Sequence, residues 1–217
     1  MRASAIMAIA GALVLSPAAF AQTGKTGTWM RGENANRETA TVWQRGEKVR
    51  FEWSAPARKR GDLLVDDGKL VSLFHRAENS VIQTNSRRRP LNLELQNERS
   101  VTVPDSKFEF SPPRGAKVLR IDGTLYGTLA AARRVANWFK IPQNVPANFE
   151  FENAIVGENR VWLRYSDGKT MFSLFQQKAE AGEIAPQKVR GGWFWRRDGI
   201  RFLLTGASDE LARQIAG

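Results

Sequence analysis

Hydrophobic and polar residues alternate most clearly at Lys48-Val49-Arg50-Phe51-Glu52-Trp53, where Val49, Phe51 and Trp53 interleave with Lys48, Arg50 and Glu52. A period of two sends the apolar side chains to one face and the charges to the other, the pattern of an antiparallel strand buried on one side. Thr41-Val42-Trp43 precedes it across Arg45-Gly46-Glu47, a short hairpin loop. Residues 62–66 and 69–74 flank Asp67-Gly68, a dipeptide suited to a tight hairpin turn, and Val81-Ile82-Gln83-Thr84 completes a meander. Leu91, Leu93 and Leu95, then Val101 and Val103, then Phe108 and Phe110 continue the alternation beyond Arg87-Arg88-Arg89-Pro90. Upstream, residues 22–38 read as an extended lead-in or edge segment in which Trp29 stands out.

Pro112-Pro113-Arg114-Gly115 is the strongest boundary signal, and the pattern changes after it. Over residues 128–139, Ala131, Ala132, Val135, Trp138 and Phe139 fall on one arc of a helical wheel, which predicts a helix that Ile141-Pro142 stops. Strands are expected again over 149–156, 159–165 and 169–175, the last two joined across Ser166-Asp167-Gly168. Residues 182–187 read as a loop, followed by a hairpin of Trp193-Phe194-Trp195-Arg196 and residues 200–204 around Asp198-Gly199. Ser208 caps a short final helix, with Asp209 and Glu210 at its positive end and Leu211 and Ile215 sharing a face. Many strands and few helices define an α+β protein built on an antiparallel sheet.

Composition removes whole classes of function. Among 217 residues there is no Cys and one His, so thiol nucleophiles, disulfide frameworks, zinc-finger cysteine sets and multi-histidine metal sites are excluded. Arg2, an apolar run over residues 6–15, the break at Ser16-Pro17 and Ala19-Phe20-Ala21 form a signal peptide over 1–21 with cleavage before Gln22. The run is roughly half the ~20 residues of a membrane span. The expected product is a soluble protein in the periplasm or otherwise exported. Formal net charge is +11, clustered at Arg58-Lys59-Arg60, Arg87-Arg88-Arg89, Arg133-Arg134 and Arg196-Arg197. Such clusters suit a polyanion, lipid phosphates or an acidic partner protein, and export argues against nucleic acid.

Candidate chemistry is sparse. His75 ends a strand beside Arg76 with no nucleophile elbow in the chain, so it reads as a strand-end polar residue. Asp66-Asp67 and Glu150/Glu152 are carboxylate pairs of the kind a hydrolase needs, but the first has a turn role and the second alternates with Phe149 and Phe151 as the wet face of a strand. No enzymatic activity, cofactor or metal is expected. The aromatic residues Trp43, Phe51, Trp53, Phe74, Phe108 and Phe110 lie on β segments, where they either fill a sealed core or line a concavity for an acyl chain or apolar peptide.

Residues 39–85 resemble the hairpin series of LolA-like and MucB/RseB-like envelope proteins, through Val49-Arg50-Phe51-Glu52-Trp53, Ala55-Pro56, the run from Gly61 to Lys69 and Val71-Ser72-Leu73-Phe74. The stretch from Phe108 to Ala116 is similar to the end of such domains. Residues 133–217 resemble the C-terminal domain of MucB/RseB-type sigma-factor regulators, through Phe139-Lys140-Ile141-Pro142, the run from Val161 to Gly168, Phe172-Ser173-Leu174-Phe175 and the run from Trp193 to Leu211. The resemblance implies a partly closed antiparallel half barrel over 25–116 and a smaller α+β domain over 120–217. It also implies a non-enzymatic role: binding lipid or lipoprotein moieties, or a membrane-anchored anti-sigma factor or other envelope protein. The first region lacks the long N-terminal helix of that pattern, which favours protein contact.

The leading reading is thus an exported regulatory binding protein. The aromatic set above would serve a hydrophobic ligand or partner, and Arg58, Lys59, Arg60, Arg87, Arg88 and Arg89 a basic partner surface. Alternatives are a periplasmic lipoprotein carrier, a polyanion-binding envelope module and a hydrolase using Asp66, Asp67, Glu150 and Glu152. N-terminal sequencing of the exported protein is expected to begin at Gln22; an intact Met1 terminus on that material would contradict the leader.

Overall fold

Alternating patterns become strands wherever a hairpin turn lets them pair. In the computed structural model, which describes residues 22–32, 37–87 and 91–217, the first half carries β1 (Thr23–Arg31), β2 (Glu38–Arg45), β3 (Lys48–Ala55), β4 (Leu63–Asp66), β5 (Leu70–His75), β6 (Ser80–Asn85) and β7 (Gln96–Thr102). The second half carries β8 (Lys117–Tyr126), α1 (Leu129–Val135), β9 (Glu150–Val156), β10 (Arg160–Ser166), β11 (Met171–Lys178), β12 (Ile184–Val189), β13 (Gly192–Arg197), β14 (Ile200–Thr205) and α2 (Asp209–Ala216). The leader expected at 1–21, and Arg88 and Arg89 of the basic turn, lie outside the described residues. Among the described residues no helix is long and apolar enough to cross a membrane.

The 14 strands of the described residues join one open sheet, in the order β12-β13-β14-β11-β10-β9-β8-β6-β5-β4-β3-β2-β1-β7. This is the expected α+β architecture, antiparallel except where β6 and β8 run parallel. β8 links the halves, pairing with β6 through its first residues and with β9 through Thr124–Tyr126.

The register puts an apolar row along one face. Val42, Phe51, Leu64, Leu73, Ile82 and Leu119 stand directly opposite one another from β2 to β8. Beyond a step along β8, Leu125, Ile155, Trp162, Phe175, Leu203 and Phe194 continue it to β13. Directly paired residues share a face, so this is one surface. In the second half the opposite face holds the main core, where Leu163, Leu174 and Leu204 pack with Ala132 of α1 and Ala212 of α2.

Several elements depart from expectation for local reasons. The segment 22–38 is no edge: β1 is paired on both sides, by β2 and β7. The helix expected over 128–139 ends at Val135, and Ala136 leaves the helical conformation with φ −140° and ψ 88°. Trp138 and Phe139 still pack into the core, and the next residue is pinned because the buried Gln176 amide accepts from Lys140 N at 2.8 Å and donates to Lys140 O at 2.6 Å. The loop expected at 182–187 is largely β12, paired with β13 despite Pro186, which an edge strand tolerates. Asp198-Gly199 has φ values of 53° and 68°, the left-handed pair that a two-residue hairpin turn requires. At Asp67-Gly68 the aspartate closes the turn by accepting from Lys69 N at 2.7 Å and Leu70 N at 2.8 Å.

Leu163 is fully buried between β9 and β11, so Leu163→Ala leaves a cavity and is expected to lower stability by about 2–5 kcal/mol in urea unfolding. A loss below roughly 1 kcal/mol would contradict this packing.

Candidate binding cavity

The concave side of the first half is not filled. A cavity of about 610 Å³ lies on the face of β3, β4 and β5, walled by the segment around Leu91 and Leu93 and by Thr128, Ala131 and Arg134 at the start and along the length of α1. Phe51, Trp53, Leu64 and Leu73 give it an apolar lining. Phe51 stacks on Trp53 with ring centroids 5.5 Å apart and meets the edge of Trp29 at 5.6 Å, so the lining is a rigid aromatic shelf.

Parity along the strands divides the six candidate aromatics. Phe51 and Trp53 alternate onto the cavity face. Trp43 is paired with Arg50, and Phe74 with Leu63, so both point to the other side. There Phe110 lies 6.1 Å from Phe74, Phe108 is buried beneath Arg45, and Lys107 Nζ sits 3.5 Å from the Trp43 ring centroid. A 3-10 turn at Asp105–Phe108 brings that covering segment in.

The basic set is divided too. Arg60 is exposed and reaches Ser54 O at 3.3 Å, while Arg58 approaches Glu150 at 3.8 Å. Arg87 donates to Leu125 O and lies 4.3 Å from the Tyr126 ring centroid. Lys59 is no surface charge. A 3-10 turn at Ala57–Lys59 aims it into the cavity wall, where Nζ donates to Glu38 at 2.6 Å and also binds Glu152. The three side chains are 12%, 5% and 9% exposed. Glu152, read from sequence as the wet face of a strand, is therefore an internal counter-ion, while Glu150 is exposed.

Glu38 collects three donors. Arg31 Nη2 reaches it at 2.9 Å and the Trp53 indole N–H at 3.2 Å, beside Lys59. Burial by itself would raise the Glu38 carboxyl, but Lys59 and Arg31 outweigh it and hold the group below its ordinary value. Arg31 Nη1 also donates to Gly127 O at 3.0 Å, tying β1 to the start of α1. Asp66 shows the opposite balance: burial raises its carboxyl, against hydrogen bonds from Ser86 at 3.0 Å and Gly68 N at 2.9 Å.

His75 is held on both sides. Arg164 Nη1 lies 2.7 Å from Nε2, and Asp62 Oδ2 lies 3.3 Å from Nδ1. An arginine N–H only donates, so Nε2 accepts and Nδ1–H points to Asp62. With both ring nitrogens engaged, the imidazole has no free nitrogen to take a proton from a hydroxyl nucleophile. Arg164 is 3% exposed, and burial draws its guanidinium down from the ordinary value while Glu78, Glu152 and Asp62 act in the other direction. Among the described residues no group of acidic and histidine side chains is arranged to hold a metal ion.

The cavity therefore combines an apolar lining with charges that neutralise one another in its wall, a construction suited to enclosing an apolar group. Of the six aromatics singled out in the sequence, Phe51 and Trp53 border the cavity. The ionic wall joins Arg31, Glu38, Lys59 and Glu152 from distant parts of the chain, and no local spacing announces it.

No protein-family model matches the chain, and no curated protein matches it. Among solved structures it is similar to MucB in complex with MucA(peri), at 12% identity, with 90% of this chain and 92% of that chain covered and a TM-score of 0.27. The same values hold for a Pseudomonas aeruginosa MucA/MucB complex. An uncharacterized conserved protein from Thermus thermophilus is similar at 12% identity, with 89% and 85% covered and a TM-score of 0.26. Overlap at such scores does not by itself place the chain in a family.

Glu38, lowered in the folded state, adds stability above the ordinary glutamate range, and that contribution is lost as pH falls through its folded value. Glu38→Gln is expected to cost on the order of 3 kcal/mol near neutral pH, with the gap in urea midpoint closing in acid. A gap that stays constant with pH would contradict the buried pairing.

Proposed function

We propose that this chain is an exported, non-enzymatic binding protein of the cell envelope that takes an apolar group into its concave cavity and acts on a membrane-anchored protein partner. The observation that carries the reading is the cavity of about 610 Å³ over the Phe51–Trp53 shelf. Apolar surface left unfilled beneath a sheet favours an apolar guest, at about 25 cal/mol for each Å² that the guest withdraws from water. Such a volume accommodates an acyl chain or a few apolar side chains.

Binding is favoured over catalysis by the state of the polar groups. Lys59 is neutralised by Glu38 and Glu152, His75 is engaged at both nitrogens, and Asp67 is committed to its turn. The regulatory role is the finer part of the proposal. It draws on the resemblance of residues 39–85 and 133–217 to MucB/RseB-type regulators and on the positive charge of the chain, which suits an acidic partner.

Titration with cis-parinaric acid, a fluorescent fatty acid, tests the cavity. Saturable binding is expected, weakened roughly tenfold by Leu64→Trp, which fills the space, and little changed by Arg60→Ala on the exterior. Equal binding by the protein and Leu64→Trp, with far-UV circular dichroism unchanged, would sink the assignment.

A further inference from the structure

The first part of β8 has one free side. Lys117 N donates to Asn79 O at 2.9 Å, so Lys117 and Leu119 turn their backbone groups toward β6. Val118 and Arg120, out of phase by one residue, turn theirs the other way. On that side β9 is paired only farther along, opposite Thr124–Tyr126. Val118 and Leu119 are 49% and 50% exposed, which is costly for adjacent apolar residues on a strand that nothing covers.

A groove of about 580 Å³ borders this edge. Its floor has two rows set by strand register. Trp162, Phe175 and Leu203 stand opposite one another, with Trp162 and Phe175 stacked at 5.0 Å. Two residues along each strand, on the same face, Arg160, Gln177 and Arg201 form a second row. Arg120 joins the lining from the β8 side. Only Arg160 has an acidic partner, Asp122 at 3.3 Å; among the described residues Arg120 and Arg201 form no ion pair.

We propose that this edge and groove bind an extended, acidic segment of a partner protein by strand addition. The segment's backbone pairs with Val118 and Arg120, its apolar side chains pack against Leu119, Trp162 and Phe175, and its carboxylates meet Arg120, Arg160 and Arg201. The charge of the lining selects an acidic partner over a neutral or basic one. This site lies apart from the cavity and goes beyond the reading above, supplying the place where a protein partner docks while an apolar group occupies the cavity.

The test is fluorescence anisotropy on the intact protein with a labelled Val-Thr-Glu-Glu-Leu-Thr-Glu peptide, whose odd positions present apolar and acidic side chains in turn on the one face that meets the two rows. Saturable binding is expected. It should be roughly tenfold weaker for the peptide with Lys in place of Glu, for the acidic peptide N-methylated at every internal amide, and for the Arg120→Glu/Arg201→Glu variant. Leu64→Trp, confined to the cavity, should leave it unchanged, so a failure here is separable from a failure of parinaric acid binding. No saturable binding overturns the proposal. So does binding that ignores N-methylation, which would mark a general polyanion patch, as does equal binding of both peptides.

Discussion

One ammonium group spans the concave side of the sheet. Lys59, just after β3, holds Glu38 at the start of β2 and Glu152 on β9, strands separated in sheet order by β3, β4, β5, β6 and β8. A sheet that curls this far without joining its ends by backbone pairing needs another tie. Here buried ions supply it, with Arg31 adding a second tie from β1 to Gly127. Each ion is costly to bury alone, so the cluster requires all its members in place at once.

The face of the sheet under α1 and α2 is closed with Leu163, Leu174 and Leu204 and acts as the structural core of the second half. The other face carries an equally continuous apolar row, which α1 borders only at the cavity, through Thr128, Ala131 and Arg134. It opens as the cavity in the first half and as the arginine-lined groove in the second. Leu73, Ile82, Ile155 and Trp162 pack as one cluster between the two openings. In the second half the sealed core and the groove thus lie on opposite sides of the sheet, whereas in the first half Val42, Val49 and Phe51 pack on the face that carries the cavity.

Much of this was legible in the sequence because strands announce themselves locally. Alternation at Val49, Phe51 and Trp53 gave the correct common face, and the Asp-Gly turns fell between paired strands. The overlong helix came from Trp138 and Phe139, which fit a helical arc yet pack against the core from the turn that follows α1, beside Lys140 held by Gln176. β8 escaped notice because residues 117–126 lack strict alternation and its first partner, β6, is parallel and distant in the chain. The role of Lys59 was invisible for the same kind of reason: in a run of three basic residues nothing local shows that the middle one meets acids from β2 and β9.

The central claim is that the concave face encloses an apolar guest while buried ions hold the curl. Native mass spectrometry of the protein, produced from the full sequence and purified without detergent, addresses it most directly. The account predicts a population heavier than the polypeptide by the mass of an apolar or amphiphilic molecule, released when organic solvent unfolds the chain. Only the bare polypeptide mass, across preparations that remain folded, would contradict it.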